Sequence, residues 1–242
     1  ARWLMKLRKG PVIAALYPVG MLLLQLLAAI LTGCLVCALA GLLAPWAGIA
    51  ARLAGAGAGI VAAVALLRWF KAKDGKLYAY YLMHDYAFSA QYRGANPPEL
   101  GARMARFTDI IAEALESDAD EVLVVGHSSG AHLAVSVLAD LIRQGRVPAR
   151  GPRLAFLSLG QVVPMVSFLR EAHRLRADLA FLSARDELTW VDVTAPGDGC
   201  AFALCDPVAV SGVAPEGQRW PLVFSAQFTR SLSPERWKAL RW

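Results

Sequence analysis

A chain of 242 residues has room for one ordinary domain and little more. Its apolar content of 57% is high for a soluble protein, and four cysteines are too few for a disulfide scaffold. The formal charge of +6 and the pI near 9.4 do not mark a nucleic-acid-binding face. Arg2, Lys6, Arg8, Lys9, Arg52 and Arg68 are the only charges in residues 1–70, and beyond them the basic residues equal the 19 acids in number.

Val12 to Leu43 is uncharged and far longer than the roughly 20 residues that cross hydrocarbon. Pro18 lies near its start, so residues 19–43 are the expected first span. Pro45 and Trp46 predict a short turn, and residues 46–70 a second span with Trp46 and Trp69 as interfacial anchors. Cys34 and Cys37 fall inside the first span, where a C-x-x-C reads as packing; Cys200 and Cys205 are left open between paired and free. Gly55 and Gly59 put small residues on one side of the second span, a face suited to a membrane-protein partner. Basic residues flank both outer ends of the pair, with only Arg52 near the turn. By the positive-inside rule the N-terminus and the globular part face the cytoplasm. The expectation is an integral membrane protein, in a bacterial inner membrane, with a hairpin anchor over residues 1–73 and a globular domain over residues 74–242.

After the hairpin, strand and helix signals alternate. Leu77–Met83 is aromatic-rich and apolar and predicts a strand. Pro97 and Pro98 open a helix over residues 99–116, with Met104, Phe107, Ile110, Ile111 and Leu115 on one face. Residues 121–125, Glu-Val-Leu-Val-Val, form a β-branched run of the kind buried in a parallel sheet. Residues 129–144 read as helix, 154–159 as strand, 166–182 mainly as helix, 188–194 as strand and 222–228 as strand. Pro234 starts a last helix, and residues 195–221 form the longest loop. The alternation predicts an α/β class with a mostly parallel sheet flanked by helices, preceded by two transmembrane helices.

The chemistry is concentrated at Gly126-His127-Ser128-Ser129-Gly130, a G-x-S-x-G between a strand and a helix. In that context the serine stands on a sharp turn at the carboxyl edge of the sheet. Gly126 and Gly130 leave room for the crossing backbone, and the Ser129 N–H at the helix N-terminus can stabilise an oxyanion. Residues 122–131, Val-Leu-Val-Val-Gly-His-Ser-Ser-Gly-Ala, resemble the serine signature of the α/β-hydrolase superfamily, in its lipase and esterase branch. The resemblance covers roughly residues 75–242, with the elbow as its one specific motif. It implies a nucleophile at Ser128, an acid after a later strand and a histidine near the C-terminus. Asp198, just past the strand ending in Asp192-Val193-Thr194, is the first choice of acid, and Asp206 the second; Asp192 falls inside the strand and Asp186 precedes it.

No histidine follows Asp198, and the four present are His84, His127, His132 and His173. A serine hydroxyl needs an imidazole to take its proton. His127 is the middle residue of the elbow and is expected to point away, His132 to pack or cap one helical turn on, and His173 to be exposed. His84, near the end of the predicted Leu77–Met83 strand, is the only internal candidate for the base. Three explanations stand: a histidine beyond Trp242, which is preferred; a degenerate hydrolase retained as an accessory subunit of a membrane complex; or an unorthodox base such as His84. No H-E-x-x-H, P-loop or dinucleotide fingerprint occurs, so no metal or cofactor is expected. The expected partners are membrane lipid and a lipid-ester substrate, with no nucleic acid.

Overall fold

A computed structural model describes residues 2–43 and 48–240, so the predicted turn at Pro45 and Trp46 lies outside the described residues. The chain groups into two compact units, residues 15–88, and residues 1–14 together with 89–242.

The short helices α1 (Arg2–Leu7) and α2 (Lys9–Ala14) belong to the second of these units. Two long helices follow in the first, α3 (Tyr17–Leu43) and α4 (Gly48–Ala72). Pro18 occupies the first turn of α3, where its missing N–H costs no hydrogen bond. At 27 residues α3 is about 40 Å long, enough to cross hydrocarbon. Leu23, Leu24, Leu31, Ile60 and Val61 are all more than half exposed, as helices that are apolar all round require a solvent other than water.

The seam between α3 and α4 is made by glycines. A Cβ on Gly59 would lie 2.5 Å from the Gly33 carbonyl oxygen, and one on Gly55 would lie 2.8 Å from Ala40 Cβ. Both glycines are buried. The Gly55/Gly59 face, read from sequence as a surface for another membrane protein, is therefore taken up by the hairpin itself.

Leu77–Met83 is not a strand. It is covered by α5 (Asp74–Leu77) and α6 (Ala79–Gln91), separated by Tyr78 in the left-handed region at φ 53°. The Asp74 carboxylate accepts the backbone N–H of Tyr80 and Tyr81, each at 2.9 Å, and so satisfies amides that open α6. Aromatic residues favour strands only where a sheet offers them a surface; here a local cap decided.

In the second unit α7 (Pro98–Leu115) buries Met104, Thr108, Ala112 and Leu115, while Phe107 and Ile110 are exposed. At about 100° per residue the last two fall away from the stripe centred between Met104 and Leu115, which corrects the predicted face. Four strands follow, β1 (Glu121–His127), β2 (Arg153–Leu159), β3 (Leu188–Thr194) and β4 (Leu222–Ser225), all parallel and adjacent in chain order. Between them lie α8 (Ser129–Arg143), α9 (Val163–Ser167) with α10 (His173–Ser183), and α11 (Pro207–Val210). The helix predicted over residues 166–182 is broken at 168–172, where Arg176 donates to the carbonyls of Ser167 at 2.7 Å and Leu169 at 2.9 Å. After β4, which is shorter than predicted, come α12 (Phe228–Ser231) and α13 (Pro234–Leu240).

The core lies on one face of the sheet, where Leu154, Phe156 and Trp190 meet Leu138 and Leu141 of α8 and Leu179 and Leu182 of α10. On the opposite face Leu123, Val125, Leu222 and Phe224 are exposed. Strand β1 thus alternates in burial instead of being buried on both sides as its β-branched run predicted.

Candidate active site

The carboxyl ends of β1, β2 and β3 lie side by side, because the parallel register pairs His127 with Leu159 and Leu159 with Val193. At the end of β1 the chain turns within one residue into α8. Ser128 makes that turn at φ 53° and ψ −121°, a region non-glycine residues avoid at a cost of about 1–2 kcal/mol. The Ser128 N–H is held by the Leu159 carbonyl at 3.0 Å, and the Ser128 carbonyl accepts from Ala131 N at 3.1 Å. The bend is therefore tied to β2 on one side and to the helix on the other. The Ser128 hydroxyl makes no capping bond to α8, and the residue is partly exposed.

Gly126 is a steric requirement of this turn. A Cβ there would come within 2.9 Å of both Ala131 Cα and the Gly130 carbonyl oxygen. Gly130 is different, since nothing lies within 4 Å of where its Cβ would be, so the expected crowding is confined to Gly126. Ser129 is the first residue of α8, at the positive end of the helix dipole, which is the place an oxyanion donor occupies.

Asp198 lies in the loop after β3. Its Oδ1 accepts the N–H of Cys200 at 2.8 Å and of Ala201 at 3.3 Å, which orients the carboxylate. Its Oδ2 lies 3.5 Å from the point a Cβ on Gly160 would occupy, and His127 Nε2 lies 3.9 Å from the same point. Gly160 follows β2 at φ 53°, with its N–H bonded to the Val193 carbonyl at 3.1 Å. Side chains from the first strand's end and the third strand's loop thus both border the residue that follows the second. The Asp198 loop is also strapped from the N-terminal segment. Arg8 Nη2 donates to the carbonyls of Pro196 at 2.5 Å and Asp198 at 2.8 Å, and a Cβ on Gly10 would stand 2.7 Å from the Gly199 carbonyl oxygen.

Asp206, the second choice of acid, is fully employed elsewhere. Its Oδ1 caps α11 through Val208 N at 2.8 Å and Ala209 N at 3.2 Å, and its Oδ2 accepts from Gln218 at 2.7 Å. Asp186 is exposed and paired with Arg219. Asp192, set aside from sequence as lying inside the strand, is completely buried next to this edge, in register with Ser158 and through it with Gly126. Its Oδ1 accepts from the Ser158 hydroxyl at 2.5 Å, that hydroxyl accepts from Trp190 Nε1 at 2.9 Å, and its Oδ2 has no hydrogen bond. Burial pushes its carboxyl up to about 6, against the opposing Ser158 bond and with a smaller push from Asp206. The sequence signal for it was an acid in phase with Trp190 on a core-facing register.

His84 lies in α6 of the hairpin unit, so the strand end that motivated its choice as base does not exist. His132 packs in the first turns of α8, and burial lowers its imidazole to about 4. His173 is exposed at the start of α10, 3.6 Å from Glu171. Among the described residues no three His, Cys, Asp or Glu side chains gather as metal ligands. Comparison with family models, with curated proteins and with solved structures finds no match for this chain.

Proposed function

We propose that the chain is a membrane-anchored serine hydrolase of the α/β-hydrolase type, acting on lipid-like carboxylic esters. The observation that carries this reading is the backbone of Ser128, a strained strand-to-helix bend with Asp198 two strands away on the same sheet edge. Backbone strain of this kind persists where the surroundings over-determine it, and such positions cluster at functional sites. Ser128 Oγ would attack the ester carbonyl carbon while the helix N-terminus at Ser129 stabilises the oxyanion. The alkoxy group leaves as the alcohol, carrying the proton from the serine, and water then releases the carboxylic acid and restores the hydroxyl.

Two apolar helices long enough to span a bilayer keep the site close to acyl lipids, which raises their effective concentration. The basic flanks orient the site to the cytoplasmic side. A second reading is an accessory subunit without turnover. The exposed apolar sheet face at Leu123, Val125, Leu222 and Phe224 favours it. A fluorophosphonate probe on the detergent-solubilised full chain separates the two. The hydrolase labels, and labelling is lost in Ser128→Ala; a folded wild type that does not label leaves only the accessory role.

A further inference from the structure

We infer that His127, with Asp198, forms the proton-handling pair of this site; the inference rests on Ser128 being the nucleophile. The fold puts one imidazole and the candidate acid beside the same glycine, and that imidazole belongs to the residue next to the serine. His127 Nε2 and Asp198 Oδ2 approach the same empty position, the missing side chain of Gly160, at 3.9 and 3.5 Å. The left-handed φ of 53° at Gly160 favours glycine there, which leaves the space beside both groups unfilled.

The carboxylate is prepared for this use. Oδ1 is taken by two backbone amides, and the Arg8 guanidinium holds the loop from its carbonyl side, which leaves Oδ2 as the oxygen beside Gly160. The imidazole is exposed and open to solvent. His132, the other imidazole near the elbow, is half-buried in α8, and its desolvated ring resists protonation. A carboxylate beside an imidazole orients the ring and stabilises the imidazolium that forms.

His127 takes the Ser128 hydroxyl proton as the Oγ–C bond forms, and gives it to the alkoxy oxygen as the C–O bond breaks. In the second half it takes a proton from water as the hydroxide adds to the acyl carbon, and returns it to Oγ as the acyl–Oγ bond breaks.

The test uses the detergent-solubilised full chain, a fluorophosphonate probe and p-nitrophenyl butyrate. His127→Ala is expected to slow labelling and kcat by about 10²–10⁴-fold, with KM little changed and activity partly restored by added imidazole. His127→Gln, which keeps the size, is expected to lose as much, and Asp198→Asn to lower kcat with KM retained. If Ser128→Ala abolishes labelling while His127→Ala labels at the wild-type rate, the nucleophile stands and His127 is not the base. Loss of activity that imidazole does not restore, in a variant that melts like wild type, makes His127 a structural residue and overturns the inference. A wild type that does not label removes the hydrolase reading and this pair with it.

Discussion

Asp192, fully buried, and His132, half-buried, are desolvated ionisable groups whose effects on stability oppose one another. In the folded chain Asp192 keeps its proton up to about pH 6, whereas an unfolded aspartate releases it near 3.8. Its contribution is full below pH 3.8 and is lost as pH rises through 6. His132 refuses its proton down to about pH 4, whereas an unfolded imidazole takes one near 6.5. Its contribution is full above pH 6.5 and is lost as pH falls through 4. Each displacement, at about 1.4 kcal/mol per pH unit, is worth up to about 3 kcal/mol. For His132, whose residue keeps a partly exposed edge, that is an upper value. Between pH 4 and 6 the two slopes nearly cancel in the wild type. Asp192→Asn leaves the His132 slope alone, so its stability falls by up to about 3 kcal/mol from pH 6.5 to 4 relative to wild type, and its midpoint at pH 7.5 rises. His132→Gln leaves the Asp192 slope, so its stability rises towards acid over the same range relative to wild type. Chemical unfolding of the solubilised full chain, followed by the fluorescence of the buried Trp190, measures both. Ion pairs such as Arg143–Asp178 are common to all three proteins and drop out of the differences. An Asp192→Asn profile that overlays the wild type refutes the assignment of a raised carboxyl at this position.

Ser128→Gly is expected to be more stable than Ser128→Ala by about 1 kcal/mol, since glycine adopts the positive φ of the elbow without strain. Equal unfolding midpoints mean that the bend stores none. Asp206→Ala loses the α11 cap and the Gln218 bond, a cost of about 1–2 kcal/mol, while fluorophosphonate labelling stays at the wild-type rate. Slowed labelling in that variant would return Asp206 to the candidates for the acid. Gly59→Leu forces a side chain into the Gly33 carbonyl and is expected to destabilise the hairpin by about 1–3 kcal/mol. An unchanged melting curve in micelles counts against the glycine seam.

The two long apolar helices, the first three strands and the strand-to-helix turn at Ser128 were legible from sequence alone, because each rests on local chemistry. Apolar length marks the two long helices, β-branched residues mark β1 and β3, a short apolar run marks β2, and a glycine two residues before the serine decides whether the turn can close against Ala131. The misread segment, Leu77–Met83, was also decided locally, but by the Asp74 carboxylate capping α6 and not by the aromatic propensity on which the strand prediction relied. Tertiary structure decided the rest. His127 and Asp198 lie 71 positions apart in the chain, and the parallel register of β1, β2 and β3 is what puts both beside Gly160 at one sheet edge. The occupation of both Asp206 oxygens came from packing, and the raised Asp192 came from burial. Occupancy and burial belong to the packed chain, because they arise from neighbours that adjacent sequence does not supply.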